Sequence, residues 1–369
     1  MDRGKVHLYF FFLILFLLRI DISPVSACTA FCLRNGQRIV LAKNLDWPIG
    51  EGLVVVNKRN ISKTAFVDSS VISLKWISKY GSITFNQFGV EFPLGGMNEA
   101  GLVIEELSNP LSGYPAPDGR PVVNEFQWTQ YHLDTHSTVK EVIESDAHLR
   151  VSREWMGLHY LVCDRLGHVA VVEFLNGDCV TYTGESLPVE VLSNNTYAES
   201  IRYLRFHKGF GGDNPIHPGA GSTQRFVLAA SMVNDFDEAR SSANTQYAFS
   251  ILDSVSQKDT QWSILYDVEN TKILYKTRNN RQIRNILVDE FDFDCSIPSL
   301  VVDIESLNAG NSGKHGVGSE FTPFRTDVNR RFLHSVFFKL YELGETEQIP
   351  KESFLDSLAK YPQSLKCMQ

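Results

Sequence analysis

No cluster of lysines or arginines appears in these 369 residues, and 43 acidic against 35 basic side chains give a formal charge of −8. That balance excludes the basic footprint a phosphate backbone requires, so nucleic acid is not a partner. Long apolar runs are missing too. The one apolar block, "LYFFFLILFLL", stops at Arg19, short of the about 20 residues that span a bilayer. Cysteine is scarce: Cys28, Cys32, Cys163, Cys179, Cys295 and Cys367 are irregularly spaced, unlike a small disulfide scaffold, and the fold is not expected to depend on their pairing. No second CxxC or CxxH accompanies them, which excludes a zinc site. The glycine-rich "GFGGDNPIHPGAGST" lacks the Gly-Lys-Ser/Thr of a phosphate loop. No metal or cofactor is implied, and no repeat of fixed period is found.

What is present begins with an export signal. A positively charged start, "MDRGKVH", precedes the apolar block, and "RIDISPVSA" closes it with Val25 and Ala27 at the −3 and −1 positions of a signal-peptidase site. Cleavage after Ala27 would make Cys28 the first residue of a protein bound for the periplasm, the exterior or a secretory lumen. Two other readings compete: an uncleaved N-terminal anchor, and a lipobox at "VSAC" that would consume the thiol. The polar stretch from Arg19 to Ala27 separates the apolar block from the cysteine more widely than lipoproteins usually do.

From Cys28 the pattern is a hairpin, "CTAFCL" and "RIVLAKNLDW" around the Asn-Gly turn of "RNGQ". Strands follow at "GLVVVN", "GSITFNQF", "FPLGGM" and "GLVIEEL", then helical periodicity at "VNEFQWTQYHL" and "STVKEVIESDAHL". Strands resume in "HYLVCD", "HVAVVEF" and "DCVTYT". A second helical run covers "ESIRYLRFH", "STQRFVLAASMV" and "DEARSSANTQYAFSILDSV" before "QWSILYDV", "KILYKTR" and "QIRNILV". Strand blocks alternating with helix blocks fit an α+β sandwich in which helices cover antiparallel sheets. The expected division is a removed signal at 1–27, a catalytic domain at 28–307, and a polar linker with two closing helices at 308–369.

An N-terminal cysteine supplies nucleophile and base together: the thiol attacks a carbonyl, and a free α-amine with a pKa of about 8 carries the proton. The segment "NLDW" sixteen residues on, then "GGMNEAGL", "VLSNNTY", "STQRF" and "TQWSILYDVENTKILYKTRNNRQI", resembles in order the choloylglycine hydrolase and penicillin V acylase family. The likeness runs over roughly residues 28–288. It implies a four-layer αββα N-terminal-nucleophile hydrolase cleaving linear N-acyl amides, with Cys28 as nucleophile, Asp46 beside the α-amine, Asn194 as oxyanion group and Arg225 against the thiol. A guanidinium so placed would lower the thiol pKa. Lys43 stands where the family has Arg, keeping charge without the planar fork. Ser108 stands at the second oxyanion position, with Asn109 one residue later. The resemblance also allows a homo-oligomer, tetramers being common in the family.

The acyl group and amine stay open: bile-salt or penicillin V type, N-acylethanolamine or ceramide type, or acyl-homoserine lactone. A secreted or lipid-anchored binding protein of the same fold that has lost the chemistry is the alternative. Loop residues Trp47, Leu107, Leu111, Tyr114 and Phe210 are expected to form an apolar acyl wall, with Glu105 or Glu106 facing the amine otherwise. His132 and His136 in "HLDTH" are read as a solvated helix end. The sequons at Asn60 and Asn194 matter only in a eukaryotic secretory host, and a glycan on Asn194 is incompatible with its role.

Overall fold

The computed structural model describes residues 27–36, 38–236, 244–307 and 320–368. The export signal to residue 26 and the polar stretch 308–319 lie outside the described residues, as does 237–243 ahead of the third helix of the second run. The chain opens as the Asn-Gly pair directs. Strand Thr29–Asn35 folds back into Arg38–Asp46 with Asn35 opposite Arg38, and Gly36 takes the φ of 62° that the tight turn needs.

That hairpin lies within an antiparallel sheet ordered Val191–Leu192, Thr29–Asn35, Arg38–Asp46, Thr260–Asp267, Lys272–Thr277, Arg284–Leu287. A second antiparallel sheet runs Asp178–Thr183, Val169–Leu175, Leu158–Cys163, Val103–Ser108, Pro93–Asn98, Ser82–Asn86, Leu53–Asn57, Leu300–Asp303, Thr322–Pro323. The sheets face one another, with Phe85 of the second edge-on to Tyr266 of the first at 6.3 Å between ring centroids. Helices Ser222–Asn234 and Asn244–Ser254 cover the first sheet, while Glu125–Thr135 and Val139–Glu144 cover the second. Strands with both faces buried read as near-continuous apolar runs, which is why "LVVV" and "HVAVVEF" lack alternation.

The chain beyond residue 320 joins this body. Leu333, Val336, Leu355 and Leu358, from helices Thr326–Glu342 and Glu352–Lys360, belong to the same apolar core as the sheets. Strand Lys366–Cys367 pairs with Ile61–Thr64, and Cys367 is disulfide-bonded to Cys295. Helix Glu125–Thr135 corrects one expectation: His132 is fully buried, with its ring 4.2 Å from that of Trp128 and its Nδ1 3.0 Å from Nδ1 of His136. The helix is packed on several sides, so its C-terminal turn is not a solvated end. Among the described residues no helix is long and apolar enough to cross a membrane.

Candidate active site

Strand alternation sorts the candidate residues onto two faces. Lys43 lies opposite Ala30 and Ile264, and its Nζ crosses to Glu105 Oε2 of the facing sheet at 2.7 Å and to Leu94 O at 3.1 Å. The residues on either side of the inward-facing Leu45 turn the other way. Asn44 donates to Leu252 O of the covering helix at 2.7 Å, and Asp46 Oδ1 accepts from Thr260 Oγ1 at 2.5 Å. Cys28, one residue ahead of the strand and 3% exposed, sits where the two environments meet. It borders a cavity of about 30 Å³ walled by Lys43, Trp47, Phe88, Glu106, Ser108 and Met156 among others.

Arg225 enters from the helix layer, in the first turn of Ser222–Asn234, and is 1% exposed. Its Nη1 donates to Cys28 O and to Thr29 Oγ1, both at 2.5 Å, its Nη2 to Asn194 Oδ1 at 3.0 Å, and its Nε to Ala220 O at 3.2 Å. Asp46 Oδ2 is 3.9 Å from the guanidinium. Asn194, just past the edge strand Val191–Leu192, donates from Nδ2 to Ser108 O at 2.8 Å. One planar cation thus fixes the backbone of Cys28 and the orientation of the Asn194 amide, which only a fork of several donors can do.

The electrostatics differ from expectation in one respect. Burial pushes the Cys28 thiol up and outweighs Lys43, Arg225 and the Asp46 backbone N–H, which all favour the thiolate. The guanidinium therefore moderates a rise and does not produce a net fall. Burial, offset in part by Thr260 and Arg225, raises the Asp46 carboxyl to about 7. Burial also works against the Lys43 ammonium, but Glu105, then Cys28 and Glu106, outweigh it and raise its pKa. Burial pushes the Glu106 carboxyl well above the usual carboxylate range, against the pull of Lys43.

Cys28, Lys43, Asp46, Asn194 and Arg225 are brought together. Ser108 lines the cavity, whereas Asn109 serves the following turn, its Oδ1 accepting from Leu111 N at 3.1 Å. Of the expected acyl wall only Trp47 borders the cavity. Leu107 points into the core, Leu111 is 59% exposed, and Tyr114 packs on Phe174 at 5.2 Å between centroids. Phe210 lines a separate cavity with Cys32 and Arg34. Thr29 and Thr260 were missed; Glu105 and Glu106 carried a signal in "VIEEL", since adjacent acids within an apolar strand demand buried partners. Among the described residues no group of His, Cys, Asp or Glu is arranged to hold a metal ion.

Two facing antiparallel sheets between helix layers, with a cysteine at the start of the hairpin strand, are the αββα sandwich of N-terminal-nucleophile hydrolases. Residues 28–217 match the model of the linear amide C–N hydrolases, choloylglycine hydrolase family, and the chain belongs to that family. It is 27% identical over 236 residues to penicillin V acylase from Pectobacterium atrosepticum, a stretch covering 58% of this chain and 61% of that protein. Its fold is similar to that of penicillin V acylase from Agrobacterium tumefaciens, with a TM-score of 0.68 and 23% identity over 81% of this chain and 98% of the other. A variant of the conjugated bile acid hydrolase from Clostridium perfringens gives a TM-score of 0.61 at 18% identity, covering 78% of this chain and all of the other, 100%.

Proposed function

We propose that the chain is the precursor of an exported amidase whose first mature residue is Cys28 and which hydrolyses N-acyl amides through a thioester on that residue. The observation that carries this reading is the grip of Arg225 on both Cys28 O and Asn194 Oδ1, which holds a nucleophile and an oxyanion donor in fixed relation. Removal of residues 1–27 frees the α-amine. The Cys28 sulfur bonds to the acyl carbon while its proton passes to that amine, and the tetrahedral oxyanion is held by the Asn194 amide and neighbouring N–H groups. The C–N bond then breaks as the α-ammonium returns the proton to the leaving amine. Water, deprotonated by the same amine, cleaves the thioester to acid and thiol.

The cavity walls are chiefly apolar, with Glu106 and Lys43 among them. Such a wall recognises the acyl half, each buried methylene contributing about 0.8 kcal/mol. The acylase and bile acid hydrolase relatives support an acylated amine as substrate class. The test is protein prepared with Cys28 as its true first residue, incubated with phenoxyacetyl, steroid-acid and fatty N-acyl amides, with the acylated Cys28 trapped by mass spectrometry. Hydrolysis lost in Cys28→Ser is the expected result. No turnover and no acyl adduct, with the free amine confirmed, would overturn the reading.

A further inference from the structure

The cavity beside Cys28 holds about 30 Å³, room for one or two waters, so the side chains that wall it set how large an acyl group it takes. Most of that wall belongs to strands of the two sheets. Trp47, Gln87, Phe88 and Met156 instead lie on connections, Gln87 and Phe88 on the one between Ser82–Asn86 and Pro93–Asn98. Helix Thr326–Glu342 grips that connection along one face. Asn329 Oδ1 accepts from Val90 N at 3.3 Å. Leu333 lies over Gly89, where an added Cβ would meet its Cδ2 at 3.1 Å. The Phe337 ring stands 6.0 Å from that of Phe88. These contacts come from positions four apart, one helical stripe. One turn edge is tied as well: Lys339 pairs with Glu51, whose backbone carbonyl accepts from Gln87 Nε2 at 2.9 Å.

We propose that helix Thr326–Glu342, well beyond the family match ending at residue 217, is the outer wall of the acyl pocket, and that Phe337, acting through Phe88, sets the size of acyl group accepted. The other rings against Phe88, Phe126 at 5.1 Å and Trp155 at 6.1 Å, are packed with the second sheet and its helix. Phe337 is the neighbour contributed by the closing helices, so shortening it opens space behind Phe88 and enlarging it closes space. Phe337 is a positioning residue here and touches no reacting atom. The inference rests on the amidase reading for its substrate class alone.

The experiment compares mature wild type, Phe337→Leu, Phe337→Ala and Phe337→Trp on N-acyl glycines from acetyl to palmitoyl. The ratio of kcat/KM for the longest to the shortest acyl group is expected to rise about tenfold or more in the Leu and Ala variants, the scale of methylene-sized changes in an apolar pocket. It should fall in the Trp variant, with the change carried in KM. Phe337→Leu keeps the core apolar if the Ala variant does not fold. Rates that change equally across the series, or not at all, overturn the proposal. Wild type that hydrolyses none of these glycine amides leaves the amidase reading to the wider substrate panel above. The wall is then read from the alkylation rate of Cys28 by N-alkylmaleimides of rising length, located by mass spectrometry. Selective acceleration of the long reagents in Phe337→Leu supports it, and equal rates overturn it.

Discussion

Arg225 and Asn194 hold each other in a single orientation, with Nη2 of the guanidinium donating to Oδ1 of the amide at 3.0 Å. A guanidinium has no acceptor, so the amide oxygen must face it and the amide nitrogen must point away. That nitrogen donates to Ser108 O at 2.8 Å, at the rim of the cavity that Cys28 borders. The donor proposed for the oxyanion is thus aimed by a cation that itself bonds Cys28 O and Thr29 Oγ1.

Asn194→Asp separates these roles, since it leaves Arg225 an acceptor and removes the donor. Its kcat should fall about 10²- to 10³-fold, the usual loss for one oxyanion donor, at temperatures where the fold is intact, although the carboxylate oxygen turned toward Ser108 O lowers the melting temperature. Steady-state kinetics beside a thermal melt decide the matter. A variant that keeps wild-type kcat would take Asn194 out of oxyanion binding.

Lys43 and Glu105 form a buried pair at 2.7 Å, with 3% and 1% of their side chains exposed, and Tyr266 OH donates to the same Glu105 carboxylate at 2.5 Å. Removing one partner strands the other charge, so Lys43→Met should cost about 3–5 kcal/mol in denaturant unfolding. Adding Glu105→Gln should restore much of that loss. Because Lys43 is the largest influence opposing the rise of the Cys28 thiol pKa, alkylation of Cys28 in Lys43→Met should shift to higher pH. Additive stabilities in the double-mutant cycle would show that the pair is not coupled in solution.

Much of this architecture is legible in the sequence because its signals are local. The Asn35-Gly36 turn, the apolar strands and the periodic helices are each set by a few neighbouring residues, Cys28 stands out by its place after the apolar block, and Asp46, Asn194 and Arg225 are picked out by the family resemblance of the segments that carry them. The short strands Ile61–Thr64, Lys75–Ile77, Val122–Asn124 and Arg150–Ser152 are not legible, since three or four residues carry no usable period. The acyl wall fails for a different reason. Leu107 and Tyr114 are apolar residues near the right loops, but strand parity and ring packing, which depend on the facing elements, turn them elsewhere. Glu105 acquires its meaning only when the second sheet closes over Lys43.

The bond between Cys295 and Cys367 spans a sequence separation of 72 and fastens the last strand beside Ile61–Thr64. Loop-closure entropy for a ring of that size puts its contribution near 4 kcal/mol. Cys367→Ser should therefore lower stability by about that amount, and hydrogen exchange should rise first in Lys366–Cys367 and its partner strand. Because the same closing helices back Phe88, the variant should also broaden acyl preference. Unchanged stability would show that packing alone holds the tail.

Asp46 makes one contribution to the pH dependence of the full chain. Burial raises its carboxyl to about 7, against about 4 in an unfolded chain. The folded form therefore binds this proton more tightly than the unfolded form, and stability falls as pH rises from about 4 through 7. In the unprocessed chain Asp46→Asn should be more stable than wild type at pH 8, and the difference should vanish by pH 4. The proposed removal of residues 1–27 should reverse part of this, because an α-ammonium on Cys28 beside the carboxylate would favour the ionised form. The gain from Asp46→Asn at pH 8 should shrink in mature protein, while its kcat falls for want of a carboxylate to hold the ammonium. Paired denaturation curves across pH for the two forms make the measurement. Equal gains before and after removal of residues 1–27 would mean that Asp46 does not receive the new terminus.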